Sequence, residues 1–286
     1  MAKSKSLNST LLSGDSFSKI KARVTLPYLV RQAKAGKTIF YSELALEVDV
    51  QNPRNLNNVL GHIGTALKQI DSTIPQIQCL VINKQSHLPG DGIEGFIDVK
   101  NYSKLPRTQK QELLNRALAQ IFSFSKWDWV LQELGLEPIE FDISKLIEKA
   151  KHIKGGGGES KFHKDFKELI ANNPSLIGLS NNLDKGKTEY LLPSADSIDV
   201  VFDDKSTKIG VEVKSRISND DDILRGLFQC VKYKYLIEAE QVVKNHEPDS
   251  RVILVLEGQF PKSLIGVKNA LGIEVLDQIS KPSDLK

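Results

Sequence analysis

Apolar residues recur every three to four positions in four segments of the first half of the chain: Ile20 to Ala35, Tyr41 to Val48, Leu56 to Ile70, and Arg107 through Leu134. That period lines up apolar side chains along one face of an α-helix, so each segment is predicted to be helical. Between the third and fourth, Ile77-Gln78-Cys79-Leu80-Val81-Ile82 is a short apolar run of the kind that forms a buried strand, and the turn-rich Leu88-Pro89-Gly90-Asp91-Gly92 follows it. Helices followed by a strand and a turn predict a mainly helical, winged-helix-like unit. The glycine run Gly155 to Gly158 then breaks the pattern, because four glycines lose too much backbone entropy to sit inside a helix or strand. Residues 154–158 are predicted to link a domain of residues 1–153 to one of residues 159–286.

Beyond the glycines the periodicity changes. A helix is predicted over Glu159 to Asn172, strands near Glu189 to Leu192, Ser197 to Asp203 and Lys208 to Lys214, and a long helix over Asp220 to Val243. A buried strand, Arg251 to Leu256, and a last helix and strand, Lys262 to Ala270 and Ile273 to Leu276, complete the order. This predicts an α/β domain with a mixed sheet flanked by helices.

Composition narrows the setting. The 286 residues leave room for two cores. No apolar run approaches the roughly 20 residues that span a bilayer, and MAKSKSLNST lacks the apolar stretch of a secretion signal. Cys79 and Cys230 stand far apart with no CxxC partner, which argues against a disulfide framework or a structural zinc site and for a reducing, cytoplasmic setting. Residues 1–158 hold 21 Lys and Arg against 15 Asp and Glu, whereas the remainder holds 18 against 21. A basic half of net +6 beside an acidic half of net −3 suits a catalytic half that relies on its neighbour for attraction to phosphate.

The candidate chemistry lies in the acidic half. A turn centred between Lys205 and Ser206 places Asp199 directly across a hairpin from Glu212, so the two side chains are expected on one face. In Ile209-Gly210-Val211-Glu212-Val213-Lys214 the apolar residues point one way, and Glu212 and Lys214 the other. Two like charges about 5 Å apart at an effective dielectric near 20 repel by roughly 3 kcal/mol. A divalent cation would offset that repulsion, and phosphodiester hydrolysis needs such a cation bound by converging carboxylates. Lys214 is then placed to orient the attacking water and steady charge on the phosphate. For Glu-Val-Lys taken alone, the alternative is the solvated outer face of a sheet.

Ile198-Asp199 followed by Glu212-Val213-Lys214 resembles the PD-(D/E)XK nuclease superfamily, an acid on one strand and Glu-x-Lys on the next, with the usual proline displaced to Pro193. Gln229-Cys230-Val231-Lys232-Tyr233 on the following helix resembles the Gln-x-x-x-Tyr motif of its RecB-like and lambda-exonuclease-like branch. Gln229 and Tyr233 share a helical face, and Arg225 joins them one turn earlier. The superfamily often places a further acid or a histidine on the first helix. There Phe162, Phe166, Leu169 and Ile170 define the expected buried stripe, Glu159 and His163 fall beside it, and Glu168 falls opposite. The resemblance implies a restriction-endonuclease-like core in which Asp199 and Glu212 hold Mg2+, with Mn2+ as a substitute, and Lys214 assists the nucleophile. Gln229, Tyr233, His163 and Glu159 complete the implied site. Asp196 is a rival for Asp199, but sits nearer the strand's mouth.

In the first half, Tyr41-Ser42-Glu43-Leu44-Ala45, the Pro53 to Ile63 helix, and Ile77-Gln78-Cys79-Leu80-Val81 through the Gly-rich turn resemble the winged-helix part of alkylguanine-DNA alkyltransferases. The reactive Pro-Cys-His-Arg is absent and Cys79 precedes Leu80, which removes alkyl transfer and leaves DNA binding, with Arg54, Asn55, Asn57 and Asn58 at a helix start facing phosphates or bases. The other use for this half is a helical protein-interaction module, with Arg107 to Leu134 pairing a homodimer. Together these features predict a metal-dependent DNA nuclease of prokaryotic restriction, phage defence or repair. The alternatives are a catalytically inactive DNA-binding or assembly protein with the nuclease fold, and an RNA nuclease.

Overall fold

The structure is a computed structural model that describes residues 7–97, 99, 101–140, 142–152, 160–205 and 207–280. Glu159 and the linker of residues 154–158 lie outside the described residues. Two compact units divide the chain, Met1–Phe141 and Asp142–Lys286. The division falls ahead of the glycine run at which the sequence places a boundary, because helix α6 (Ser144–His152) packs on the second unit, where Leu146 meets its core. No helix among the described residues is long and apolar enough to cross a membrane.

The first unit is mainly helical. Helices α1 (Phe17–Ala35), α2 (Tyr41–Glu47), α3 (Leu56–Ile70), α4 (Arg107–Ser123) and α5 (Trp127–Glu133) surround a single apolar core that includes Leu26, Leu29, Ile63, Leu67 and Trp127. The helix expected to run unbroken from Arg107 to Leu134 is two helices. Trp127 turns inward at the break, stacking edge-on against Phe124 and donating its indole N–H to the carbonyl of Ile121. The strand expected over Ile77 to Ile82 is mostly a 3-10 turn, Ile77–Leu80, leaving β2 (Val81–Ile82) to pair with β1 (Ile39–Phe40). That pairing is parallel, with α2 and α3 lying between the strands in sequence. Parallel neighbours cannot be joined by a tight hairpin, so β1 and β2 do not form the antiparallel wing of the expected winged helix.

In the second unit a five-stranded mixed sheet carries strands in chain order: β3 (Lys187–Leu191), β4 (Ser197–Asp204), β5 (Thr207–Lys214), β6 (Ser250–Leu256) and β7 (Glu274–Leu276). The first three form an antiparallel meander, while β6 and β7 add in parallel. The β4–β5 register is Val200↔Val211 through Asp204↔Thr207, the register the sequence predicts, and Lys205 adopts the left-handed φ of 57° that a tight hairpin turn uses. Each face of the sheet is covered. Helix α7 (Lys161–Asn172) packs Phe166 and Ile170 against Val200, Phe202, Val211 and Val213. On the opposite face helix α8 (Asp220–Val243) packs Leu224, Leu227 and Ile237 against Ile198, Val201, Val252 and Leu254, with α9 (Ile265–Leu271) beside it.

Two devices hold α8. At its start Asn219 accepts from the Asp222 N–H while the Asp222 carboxylate accepts from the Asn219 N–H, a reciprocal cap that satisfies donors with no partner inside the helix. Near its end Glu240 accepts from Tyr190 Oη on β3, Lys208 on β5 and Lys244. Asn219→Ala is expected to lower the unfolding free energy of the second unit by about 1 kcal/mol, the usual worth of such a cap. Denaturant titration measures it, and an unchanged midpoint would contradict the role assigned to the cap.

Candidate active site

The backbone sets the geometry at Asp199. Ile198 packs in the α8-side core and Val200 in the α7-side core, so the strict two-residue alternation of a strand breaks between them. On the other neighbour, Glu189 lies opposite Asp199, between the pairs Thr188↔Val200 and Tyr190↔Ile198, and has a left-handed φ of 51°. Such a φ is uncommon away from glycine, and here it accompanies the matching irregularity in β4. The β4–β5 ladder begins at Val200↔Val211, while β5 continues to Lys214 paired with β6. Where the ladder ends, the Asp199 carboxylate takes over and Oδ2 accepts from the Val213 N–H at 2.9 Å. The expectation that Asp199 and Glu212 share one regular face is corrected accordingly: the strands part at Asp199, and side chains from both faces of the sheet converge there.

From α7, His163 Nε2 lies 3.4 Å from Asp199 Oδ1, and the Ser160 hydroxyl caps the helix by accepting from the His163 N–H. From β5, Lys214 Nζ donates to Glu212 Oε1 at 2.7 Å and to Gln229 Oε1 on α8 at 3.5 Å. Gln229 Nε2 donates to Tyr233 Oη at 3.1 Å, and Tyr233 Oη donates to the Ser197 carbonyl at 2.9 Å. Six residues singled out from sequence are thus joined, either to one another or through the ends of β4 and β5: Asp199, Glu212, Lys214, His163, Gln229 and Tyr233. Glu212 is only 3% exposed, which removes the solvated-face alternative for Glu-Val-Lys.

The charges settle pairwise. Burial and the neighbouring Asp199 charge push the Glu212 carboxyl up to about 7. Burial would raise Asp199 too, but the hydrogen bonds from His163 and Val213 outweigh it and hold that carboxyl below its ordinary value. The bond to Asp199 raises His163, and the Glu212 charge and hydrogen bond raise Lys214 against the opposing effect of its burial. Burial, then the Glu212 charge, pushes the Tyr233 phenol up, so it remains a neutral donor. The repulsion between the two carboxylates, for which the sequence calls on a cation, is offset within the chain by Lys214 and His163. Among the described residues no group of three or more His, Cys, Asp and Glu side chains is gathered as a metal shell. Asp199 and Glu212 remain the side chains with hard oxygens to offer, a set suited to Mg2+, which keeps several waters and takes one or two carboxylates plus substrate phosphate, rather than to zinc.

Other expectations fall elsewhere. Asp196 is bound by Lys232 and Ser194, outside this network. Arg225 is half-buried on α8 and makes no ion pair among the described residues. Arg54, Asn55, Asn57 and Asn58 are all exposed, Arg54 and Asn55 in a 3-10 turn capped by Asn52 and Asn57 and Asn58 in the first turn of α3 that follows it. Cys79 is buried in the first unit and its thiol is pushed up to about 12, consistent with an unreactive core cysteine. Gly226 escaped the sequence reading. A Cβ there would stand 2.8 Å from Lys214 Cε and 3.0 Å from Leu254 Cδ1, so any side chain at this position would have to displace the end of Lys214 from its place in the site. The signal was a glycine inside a long helix, which costs about 1 kcal/mol relative to alanine and so calls for a packing reason.

Two outcomes are expected. Because the folded-state value of Glu212 lies above its unfolded value, the native protein holds the extra proton between about pH 4.5 and about 7. Across that window Glu212 makes stability fall with rising pH by up to about 1.4 kcal/mol per unit. In metal-free buffer, denaturation of wild type and Glu212→Gln at pH 5, 6 and 7 should differ by that slope; parallel curves would contradict the assignment. In Gly226→Ala, displacement of Lys214 should move the Glu212 titration midpoint, followed by carboxyl-carbon NMR, above that of wild type, and an unmoved midpoint would show that the helix accommodates the methyl elsewhere. No protein family model, curated protein or solved structure matches this chain.

Proposed function

We propose that the chain is a divalent-metal-dependent deoxyribonuclease whose centre is Asp199, Glu212 and Lys214. The observation that carries this reading is the state of Glu212: a buried carboxyl raised to about 7 by burial and by Asp199, with a lysine ammonium at 2.7 Å, where two strands part. Groups strongly shifted by burial and a specific charge partner cluster at sites built for chemistry. The strand order, the hairpin register and the Gln229–Tyr233 pair on α8 agree with the PD-(D/E)XK resemblance.

When bound, a magnesium ion would polarise a phosphate oxygen and acidify a water. Asp199 and Glu212 are the residues that would hold it. Raised to about 7, the Glu212 carboxyl exchanges its proton near neutral pH, and only its ionised form would serve as a ligand. The Lys214 ammonium, held between Glu212 and Gln229, is the chain's own donor for the attacking water or for the phosphate oxygen that gains charge. His163 holds Asp199 ionised, and the Gln229–Tyr233 relay fixes the lysine from the α8 side. A second reading, a nucleic-acid-binding protein that keeps the fold without cutting, is favoured by one observation: the Glu212–Lys214 and Asp199–His163 pairs neutralise the acids without any metal.

Incubation of labelled single- and double-stranded DNA with Mg2+ tests the proposal. Wild type is expected to cut and to stop when EDTA is added, while Glu212→Gln and Lys214→Ala fall by on the order of 100-fold or more, as when a charge-stabilising group is removed. Undiminished cutting by both variants would overturn the site. Tight binding without metal-dependent cutting would select the second reading, and faster cutting of a parallel RNA substrate would move the substrate to RNA.

A further inference from the structure

Phe162 lies on the apolar stripe of α7, yet it is 43% exposed while Phe166 and Ile170 are buried. The sequence pattern predicts it buried; the structure instead places the guanidinium of Arg216 over its ring, 4.5 Å from the centroid. Phe162 directly precedes His163, and Arg216 follows Lys214 by two residues. The stacked pair therefore joins the α7 side of the site to the segment leaving β5, next to the groups that hold Asp199 and Glu212.

The segment that carries Arg216 is fixed. Glu257 Oε2 accepts from the Arg216 N–H at 2.9 Å, the Glu257 N–H donates to the Lys214 carbonyl, and the Ser218 N–H closes a turn onto Ser215, itself buried. The guanidinium makes no ion pair or hydrogen bond among the described residues. Its donors are thus held in one plane by an aromatic platform and left facing outward. A planar guanidinium matches the two oxygens of a phosphodiester, and stacking removes much of the rotamer freedom that binding would otherwise cost. This unit carries more acids than bases, so a polyanion approaching Asp199 and Glu212 needs a cation at the entrance.

We infer that Arg216, stacked on Phe162, is a backbone-phosphate clamp for a DNA strand entering the Asp199–Glu212–Lys214 site. The inference rests on the nuclease reading, of which it names a substrate contact. It is tested by fluorescence anisotropy of the full chain with a labelled single-stranded DNA in EDTA, over roughly 50 to 200 mM salt. Arg216→Ala is expected to weaken binding about 5- to 10-fold, the loss of one charge-assisted contact. It should also flatten the dependence of log affinity on log salt by about 0.7, the release expected for one phosphate of a single strand. Arg216→Lys should restore the salt slope without the full affinity, and Phe162→Leu should weaken binding with the slope retained. Unchanged affinity and slope in Arg216→Ala would overturn the clamp even if wild type cuts DNA. Weakened binding with the smaller slope, in a protein that cuts nothing, would uphold the clamp and remove the nuclease reading instead.

Discussion

The second unit turns on one hydrogen bond, from the Val213 N–H to the carboxylate of Asp199. A main-chain ladder that ran on past Val200 would have used that donor for sheet and sent Asp199 to one regular face. By taking the N–H itself, the carboxylate lets β4 and β5 separate without leaving a buried donor unpaired, a loss that would cost about 1–3 kcal/mol. Everything else at the site depends on that separation. His163 reaches in from the layer of α7, and Gln229 and Tyr233 from the layer of α8, although the sheet lies between those helices.

The charges follow from the same geometry. A half-buried aspartate and a buried glutamate within each other's field cannot both ionise freely, and each has been given a different solution. Asp199 is held ionised by two donors, whereas Glu212, which shares its neighbourhood with Lys214, sits near the point where a proton and a cation compete on equal terms at neutral pH. One carboxylate is thus set and the other adjustable.

Much of this was legible in the sequence because strand alternation and hairpin closure are local rules. The β4–β5 register follows from the turn at Lys205, and the helical spacing of Gln229 and Tyr233 ensures that they meet. What escaped depends on tertiary neighbours. The break at Asp199 needs the matching left-handed Glu189 on another strand, the requirement for glycine at position 226 needs the side chains of Lys214 and Leu254, and the exposure of Phe162 needs Arg216. In the first unit the apolar period of α4 and α5 is continuous enough to read as one helix, and only the inward turn of Trp127 shows where it breaks. The parallel pairing of β1 with β2 is likewise a tertiary choice that no local pattern announces.

The Glu240 cluster lies more than a turn beyond Tyr233 on α8 and ties that helix to β3 through Tyr190 and to β5 through Lys208. With the reciprocal cap at Asn219 and the bare backbone of Gly226 pressed to the sheet within the next two turns, α8 is held at its start and again near its end, like a beam on three supports. Sliding by one residue, about 1.5 Å, or turning by about 100° would break all three at once. Arranging Gln229 and Tyr233 beside Lys214 is therefore completed as the chain folds, and an arriving ligand meets a wall already in place, with its own ordering as the main entropy left to lose.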